Sequence, residues 1–145
     1  MSSRPILLVE DNPDDVELTR IAFSEAKIAN PLHVVGNGSE ALDYLFARGD
    51  YASRDAQEQP SLVLLDLNMP RMDGREVLQA IRADASTRSL PVVEMTTSGE
   101  PFAVEACYLL GANSYIRKPV DFGQFMWAVK QVGMYWLVLN QPRGG

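Results

Sequence analysis

Residues 61 to 74 read Ser-Leu-Val-Leu-Leu-Asp-Leu-Asn-Met-Pro-Arg-Met-Asp-Gly, a pattern of strand, loop and helix start. The unbroken apolar run at 62–65 is typical of a strand that is buried on both faces within a parallel sheet. Turn-forming residues then lead to a helical pattern after Gly74. Ligand chemistry in open α/β sheets lies at the carboxyl ends of the strands, and Asp66 falls there. This aspartate could ligate a metal, act as a nucleophile or cap the following loop.

The composition indicates one soluble domain. The chain has 145 residues, of which 46% are hydrophobic and 22% charged, and this is enough to bury a core without disulfides. The net charge of -6 argues against a nucleic-acid partner, which would need a basic face. The sequence contains neither a signal peptide nor an apolar run of membrane-spanning length. We expect a cytoplasmic protein with no membrane partner, one domain at 1–140 and a tail at 141–145.

A second apolar run, at 6–9, is followed directly by Glu10 and Asp11. It predicts another central strand whose carboxyl end carries two acidic residues. Pro13 suits the first turn of a helix, which we expect to extend to about Ile28. The apolar residues predicted to form its packed face are Val16, Leu18, Ile21, Ala22, Phe23 and Ala26.

The next segments predict a strand, a helix and a loop. The strand at 32–35 contains the only histidine, His33, for which a structural role is favoured over metal binding. Ser39 is a good N-cap for the helix that follows. The polar insertion at 49–60 lacks periodicity and is predicted to be a mobile loop.

Two further strands complete the predicted sheet. The strand at 90–95 includes Glu94, a charge that must lie near the rim, find a partner or face an interface. A fourth helix begins at Pro101 and contains Cys107, interpreted as a small buried thiol, and a strand follows at 114–116. The alternation of strands and helices predicts a doubly wound α/β fold with five parallel strands.

The last predicted helix, at 121–139, is apolar on more than one face. At about 1.5 Å per residue it would overhang a sheet of short strands. An overhanging apolar helix needs a partner, and we expect a homodimer. The residues predicted to form the dimer interface are Trp127, Met134, Tyr135, Trp136 and Leu137.

If the strand ends meet at one edge of the sheet, Glu10, Asp11 and Asp66 form an acidic cluster with Thr96 and Lys118 beside it. Three carboxylates in a small volume need a counterion, and an all-oxygen ligand set favours Mg²⁺ or Mn²⁺ over zinc. A hydroxyl and an ammonium opposite the metal would hold a phosphoryl group. The sequence therefore predicts a phosphoryl-transfer site with an aspartate as nucleophile.

Four motifs resemble the receiver domain of two-component response regulators. They are Leu-Val-Glu-Asp-Asn at 8–12, Leu-Asp-Leu-Asn-Met-Pro-Arg-Met-Asp-Gly at 65–74, Thr-Thr-Ser at 96–98 and Gly-Ala-Asn-Ser-Tyr-Ile-Arg-Lys-Pro at 111–119. The resemblance implies a flavodoxin-like (βα)5 fold with strand order 2-1-3-4-5. It also implies that Asp66 accepts a phosphoryl group from a sensor histidine kinase, and that the protein is a switch and not an enzyme.

The resemblance assigns roles to individual residues. By the resemblance, Asp11, Asp66 and the backbone carbonyl of Asn68 would ligate Mg²⁺, with Mn²⁺ as the alternative ion, and Glu10 would bind the metal through a water. The implied phosphate contacts are Thr96, Thr97 and Lys118. Thr96 and Tyr115 would form the conformational switch.

A narrower resemblance is to the small, single-domain regulators that partner bacterial phytochromes. It includes Glu-Asp-Asn-Pro-Asp-Asp at 10–15, Asp-Gly-Arg-Glu-Val-Leu at 73–78 and Met-Tyr-Trp-Leu at 134–137. It implies that the kinase is of the phytochrome type and senses light.

Two other functions are weaker alternatives. An aspartate-nucleophile phosphatase of the dehalogenase-like type would need a second acid two residues after Asp66, but Asn68 stands there and cannot serve as a general acid. A pure interaction module would have kept the fold and lost the chemistry. The complete set of Glu10, Asp11, Asp66, Thr96 and Lys118 argues against it.

Overall fold

Strands and helices alternate along the chain. The computed structural model describes residues 4–55, 57–67, 74–96, 111–118, 123–124 and 126–127. The strands in these ranges are β1 (Ile6–Val9), β2 (Leu32–Val35), β3 (Leu62–Asp66), β4 (Val92–Thr96) and β5 (Ser114–Arg117). The helices with defined bounds are α1 (Pro13–Glu25), α2 (Gly38–Leu45) and α3 (Gly74–Ala83), and a 3-10 turn spans Gly49–Tyr51. Residues 123–124 and 126–127 are also helical.

The five strands form one parallel sheet in the order β2-β1-β3-β4-β5, which confirms the predicted topology. Every residue of β1 and β3 is buried, as their apolar runs predict. In the register between these two strands, Val9 lies opposite Leu65. The residues that follow β1 and the last residue of β3 therefore meet at the same edge of the sheet.

Alternate residues of the central strands face two separate cores. On one face, Leu7 of β1 lies in a buried cluster with Leu45 of α2 and Leu78 of α3. On the other face, Leu8 lies in a second cluster with Phe23 of α1. Helices on both faces explain why the strand sequences are continuously apolar and do not alternate.

The packed face of α1 is narrower than predicted. Leu18 is 39% exposed and Ile21 is 45% exposed, so the prediction that both belong to the packed face is wrong. Thr19, Ala22 and Phe23 are the residues of α1 that are buried. Thr19 fits the core because its hydroxyl donates to a carbonyl of the preceding turn at 2.9 Å. Counting apolar residues could not distinguish the buried positions of α1 from the exposed positions Leu18 and Ile21.

Two predicted helix boundaries shift in the structure. Helix α1 ends at Glu25, and not near residue 28, because Lys27 adopts a left-handed conformation with φ of 58°. Helix α2 begins at Gly38, and its N-cap is Asn37, and not Ser39, since the Asn37 side chain accepts from the Glu40 amide at 2.8 Å.

The polar insertion is tied to the domain by aromatic contacts. The Tyr51 ring lies edge-on to Tyr44, with centroids 5.1 Å apart, and edge-on to His33 at 5.5 Å. The Arg54 guanidinium lies 4.1 Å from the centroid of the Tyr44 ring. The Gln59 amide donates to a carbonyl of α2 at 3.0 Å. The sequence pattern did not indicate these contacts because they join separate elements.

The second half of the sheet departs from prediction in the bounds of its strands, predicted at 90–95 and 114–116, and in the position of one charged residue. Strand β4 spans Val92–Thr96, and Glu94 is its middle residue, fully buried between Leu65 of β3 and Tyr115 of β5. Of the three alternatives given for Glu94, a position near the rim of the sheet is therefore wrong.

Two predicted helices lie wholly or mostly outside the described residues. They are the helix that begins at Pro101, with Cys107, and the last helix. Within the described residues, no helix combines the length and apolar character needed to cross a bilayer.

Candidate functional site

Two acidic residues leave the central strands side by side. Asp66 is the last residue of β3, and Glu10 directly follows β1. The amide of Glu10 donates to the carbonyl of Val35 at 3.0 Å, which extends the β1–β2 ladder past the strand and fixes the backbone there. Glu10 is 2% exposed and Asp66 is 1% exposed. Strand pairing thus buries two carboxylates next to each other, as the sequence predicts.

Asp11 completes the acidic cluster, which we define as Glu10, Asp11 and Asp66. One carboxylate oxygen from each residue lies within 4.8 Å of the others. Asp11 is exposed, so the cluster is open to solvent on its side. Carboxylate oxygens with water access are the ligands that Mg²⁺ and Mn²⁺ prefer, and these side chains could hold such an ion.

Lys118 reaches the cluster from the end of β5. Its ammonium lies 2.8 Å from Glu10 Oε1, 3.0 Å from Asp66 Oδ2 and 3.0 Å from Asp15 Oδ2. Its backbone amide donates to the carbonyl of Thr96 at 2.8 Å, which holds the chain after β5 against the end of β4. The Lys118 side chain is only 9% exposed. A buried ammonium that contacts three carboxylates is a fixed positive charge.

The pKa values of Glu10 and Lys118 shift in a way that reflects this burial. Desolvation raises the pKa of Glu10 to about 7, the hydrogen bond from Lys118 opposes the rise, and the charge of Asp66 adds to it. Burial alone would lower the pKa of Lys118, but its hydrogen bonds to Glu10, Asp66 and Asp15 raise the pKa above its ordinary value. Lys118 therefore stays charged. Glu10 has a raised affinity for a proton in the absence of a divalent metal ion.

Asn12 organises the loop between β1 and α1. Its backbone amide donates to Glu10 Oε2 at 3.1 Å. Its side-chain oxygen accepts from the amides of Asp14 at 2.8 Å and Asp15 at 3.3 Å, which caps α1. One residue thus orients a carboxylate of the cluster and starts the helix beside it.

Gly74 allows α3 to begin close to Asp66. A Cβ atom at this position would lie 2.6 Å from the Asp66 carbonyl oxygen and 3.0 Å from the Leu67 Cα. Backbone atoms cannot give way as a flexible side chain can. A glycine is therefore required at this position, because the start of α3 closely approaches the backbone after β3.

The two predicted switch residues lie on β4 and β5. Thr96 ends β4 and is 2% exposed. Tyr115 of β5 is partly buried, and its ring lies edge-on to Trp127 with centroids 5.5 Å apart. An open groove of about 390 Å³ is lined by Tyr115, Arg117, Gly123, Gln124 and Trp127. Trp127 is 42% exposed, so this predicted interface residue is accessible in the single chain.

Several predicted residues lie outside the described residues. They are Asn68, Thr97, Met134, Tyr135, Trp136 and Leu137. The structure also adds a residue that the sequence reasoning missed, Asp15, through its contact with Lys118. The available signal was the fourth acidic residue in Glu-Asp-Asn-Pro-Asp-Asp, since a helix start places its first turn at the site edge.

The sequence matches the family model described as response regulator receiver domain over residues 6–130. The chain belongs to this family. Phosphoryl acceptance is the role of the family, and its members bind Mg²⁺ or Mn²⁺. The receiver sheet order agrees with the order observed here.

Individual relatives narrow the similarity to phytochrome response regulators. The structure of the bacteriophytochrome response regulator RtBRR is 45% identical, with a TM-score of 0.87, and the match covers 98% of this chain and 86% of that one. The response regulator Rcp1 from Synechocystis sp. is 35% identical, with 91% of this chain and 88% of Rcp1 covered. The Mn²⁺-bound form of Rcp1 has a TM-score of 0.72, with 33% identity and 92% of each chain covered. The phosphorylated cyanobacterial phytochrome response regulator RcpA has a TM-score of 0.75, with 34% identity and 97% of each chain covered.

Proposed function

We propose that Asp66 is the phosphoacceptor of this receiver and that the donor is the phosphohistidine of a sensor histidine kinase. The main support is the position of the Asp66 carboxylate. It is almost fully buried at the end of β3, belongs to the acidic cluster and lies 3.0 Å from the Lys118 ammonium. An Asp66 oxygen attacks phosphorus, the bond from phosphorus to the imidazole nitrogen breaks, and an acyl phosphate forms. The Lys118 ammonium supplies a positive charge that stabilises the negative charge on the phosphoryl oxygens.

The acidic cluster would hold Mg²⁺, or Mn²⁺, with a backbone oxygen of Asn68 as a further ligand. The fit rests on the donor set, because carboxylates within 4.8 Å of one another and partly open to solvent suit a hard cation that keeps waters. When bound, the ion neutralises negative charge on the transferring group. Thr96 and Thr97 would bond the phosphoryl oxygens, and Tyr115 would respond to the movement of Thr96.

The proposed partners follow from the similarity to RtBRR, Rcp1 and RcpA. We propose a phytochrome-type histidine kinase as the donor, because RtBRR is named as a bacteriophytochrome response regulator and RcpA as a phytochrome response regulator. We also propose a receiver domain at 1–140 that forms a homodimer through its last helix.

Phosphatase activity on other phosphate esters is not part of this proposal, since Asn68 stands where such an enzyme would need a general acid. A cytoplasmic location stays a prediction from the sequence.

Intact-mass measurement after incubation with acetyl phosphate and Mg²⁺ tests the acceptor. The unmodified protein should gain one phosphoryl group, and Asp66→Asn should gain none, because an amide is a poor nucleophile. Asp50→Asn, a change at an exposed acidic residue of the 3-10 turn, is the matched control and should be phosphorylated normally. A phosphoryl gain on Asp66→Asn would assign the acceptor elsewhere.

A further inference from the structure

Among the residues that the structure describes, Lys118 has one carboxylate partner outside the acidic cluster. Its ammonium forms ion pairs with Glu10 and Asp66, which belong to the cluster, and with Asp15, which does not. The contact with Asp15 Oδ2 is 3.0 Å long and joins residues that are 103 positions apart in sequence. Neither the acceptor role of Asp66 nor the metal ligands account for Asp15.

The first turn of α1 fixes the position of Asp15. Its amide is held by the Asn12 side chain at 3.3 Å, and its carbonyl accepts from the Thr19 hydroxyl at 2.9 Å. The Asp15 side chain is 25% exposed, whereas that of Lys118 is 9% exposed. The ion pair therefore lies at the mouth of the site, with the carboxylate on the solvent side.

An ammonium and a divalent cation would compete for the same oxygens. Lys118 already bonds two of the three cluster carboxylates. A cation that takes those oxygens places two positive charges beside the ammonium, and like charges at such distances repel strongly when they are partly buried. A buried charge that loses its partner is costly, so Lys118 needs a carboxylate that the cation does not use.

We propose that Asp15 is a positioning residue that keeps Lys118 ion-paired at the mouth of the site when a divalent cation occupies the acidic cluster. Asp15 thereby lets the cation displace Lys118 from Glu10 and Asp66 without expelling it from the site. Lys118 then remains placed to meet the oxygens of an incoming phosphoryl group. This inference rests on the metal site of the proposed function.

The test combines Mg²⁺ affinity with direct observation of the Lys118 ammonium. A lysine ammonium held in ion pairs exchanges slowly with water and can be seen by ¹⁵N NMR, and Lys118→Arg assigns its signal among the lysines. With saturating Mg²⁺, the signal should persist in the unmodified protein and disappear in Asp15→Asn. Calorimetric titration should show Mg²⁺ affinity lower by about tenfold in Asp15→Asn, the effect of losing one charge-assisted hydrogen bond.

The matched control is Asp14→Asn, which removes the same charge from the preceding, exposed residue of the same helix turn. It should keep the ammonium signal and an affinity near that of the unmodified protein. Equal losses in the two variants would mean that only general charge matters, and this would overturn the role of Asp15.

The same substitutions in a Lys118→Met background test whether Asp15 acts through Lys118 or attracts Mg²⁺ directly. In that background, Asp15→Asn should lower Mg²⁺ affinity no more than Asp14→Asn does. If Asp15→Asn retains its full effect, Asp15 acts on the cation directly and the proposal is wrong. If the unmodified protein does not bind Mg²⁺, the proposed metal site fails as well. Normal Mg²⁺ binding with an unchanged Lys118 signal in Asp15→Asn overturns the positioning role alone.

Discussion

At the scale of single residues, buried charges in this receiver are stabilised by partners distant in sequence. Lys118 bonds Asp66, which is 52 positions away, and Asp15, which is 103 positions away. A buried ammonium is costly unless it is paired, and the shared site supplies three carboxylates, two of which accept hydrogen bonds from Lys118. The surroundings of the lone histidine likewise come from separate segments of the chain, namely β2, α2 and the insertion.

His33 has a depressed affinity for protons. Its ring stacks on Tyr44 at 4.4 Å, and its Nε2 lies 3.2 Å from the Tyr51 hydroxyl. That hydroxyl donates to Glu40 at 2.8 Å, so it accepts from His33 Nε2–H. Burial lowers the pKa of His33, Glu40 opposes the shift, and the charge of Arg54 adds to it.

The lowered pKa predicts a loss of stability on acidification. Between the folded and unfolded pKa values of His33, the unfolded chain binds more protons, so the free energy of unfolding falls as the pH drops through this window. His33→Phe keeps an aromatic ring and does not titrate. Urea denaturation at pH 7.5 and 5.5 should show a smaller loss for His33→Phe than for the unmodified protein. Equal losses would contradict the prediction, and the single imidazole signal in proton NMR gives the pKa independently.

At the scale of elements, α1 connects the chemistry to a surface. It begins two residues after Asp11, so its first turn lies at the site edge. Its outer face presents Leu18 and Ile21, one helix turn apart, beside the acidic side chains of Glu17 and Glu25. Exposed apolar side chains next to a reaction site are typical of a protein-binding surface. If Asp66 is the phosphoacceptor, as proposed, a protein donor contacts the receiver near it, and this face of α1 is suited to that contact.

We predict that Leu18→Gln combined with Ile21→Gln slows phosphotransfer from the kinase. A loss of about tenfold is expected, since apolar anchors at interfaces contribute about 1.4 kcal/mol or more. Both residues are substantially exposed, so stability should change by less than about 0.5 kcal/mol. Initial transfer rates from the phosphorylated kinase measure the effect.

Acetyl phosphate provides the control for the α1 surface, because a small donor needs no docking face. Phosphorylation by acetyl phosphate should proceed at the same rate in the double variant and the unmodified protein. Unchanged transfer from the kinase would place the docking surface elsewhere.

Arg82 illustrates how an element end is held in register. From the last turn of α3, its guanidinium donates to the carbonyls of Gly111, Arg88 and Leu90 at 2.9, 3.0 and 2.7 Å. It also donates to the Asn113 side chain at 2.9 Å. Gly111 has φ of +103°, and a Cβ there would lie 3.1 Å from the Arg82 side chain. The loop before β5 is thereby joined to α3, which positions the strand that carries Lys118.

At the scale of the whole molecule, the parallel sheet brings the site residues to one edge, and the last helix supplies the proposed dimer contact. Tyr115 and Trp127 meet edge-on where β5 faces the beginning of that helix. The sequence from 134 to 139 is almost entirely apolar, and an apolar helix end of this kind favours a partner surface.

We predict that a chain ending at Val132 is monomeric, because it lacks most of the apolar residues assigned to the interface. Size-exclusion chromatography with light scattering should give the mass of two chains for the full protein and of one chain for the shortened protein. Circular dichroism checks that the shortened protein is folded. If both forms are equally dimeric, the interface lies elsewhere on the domain.

The sequence alone determined the order of elements, the parallel sheet and the residues of the acidic cluster. Buried parallel strands require continuous apolar runs, and the runs ending at Val9 and Leu65 identify the central strands and the acids that follow them. These signals are local, so one chain segment is enough to recognise each of them.

Only the tertiary structure decided which side chains share an environment. The exposure of Leu18, the left-handed end of α1 at Lys27 and the burial of Glu94 depend on what neighbouring elements cover. The pairing of Asp15 with Lys118 depends on β5 ending beside the first turn of α1. Periodicity reports which residues are apolar, whereas ion pairs and caps depend on distances of a few ångströms between segments that only the folded chain brings together.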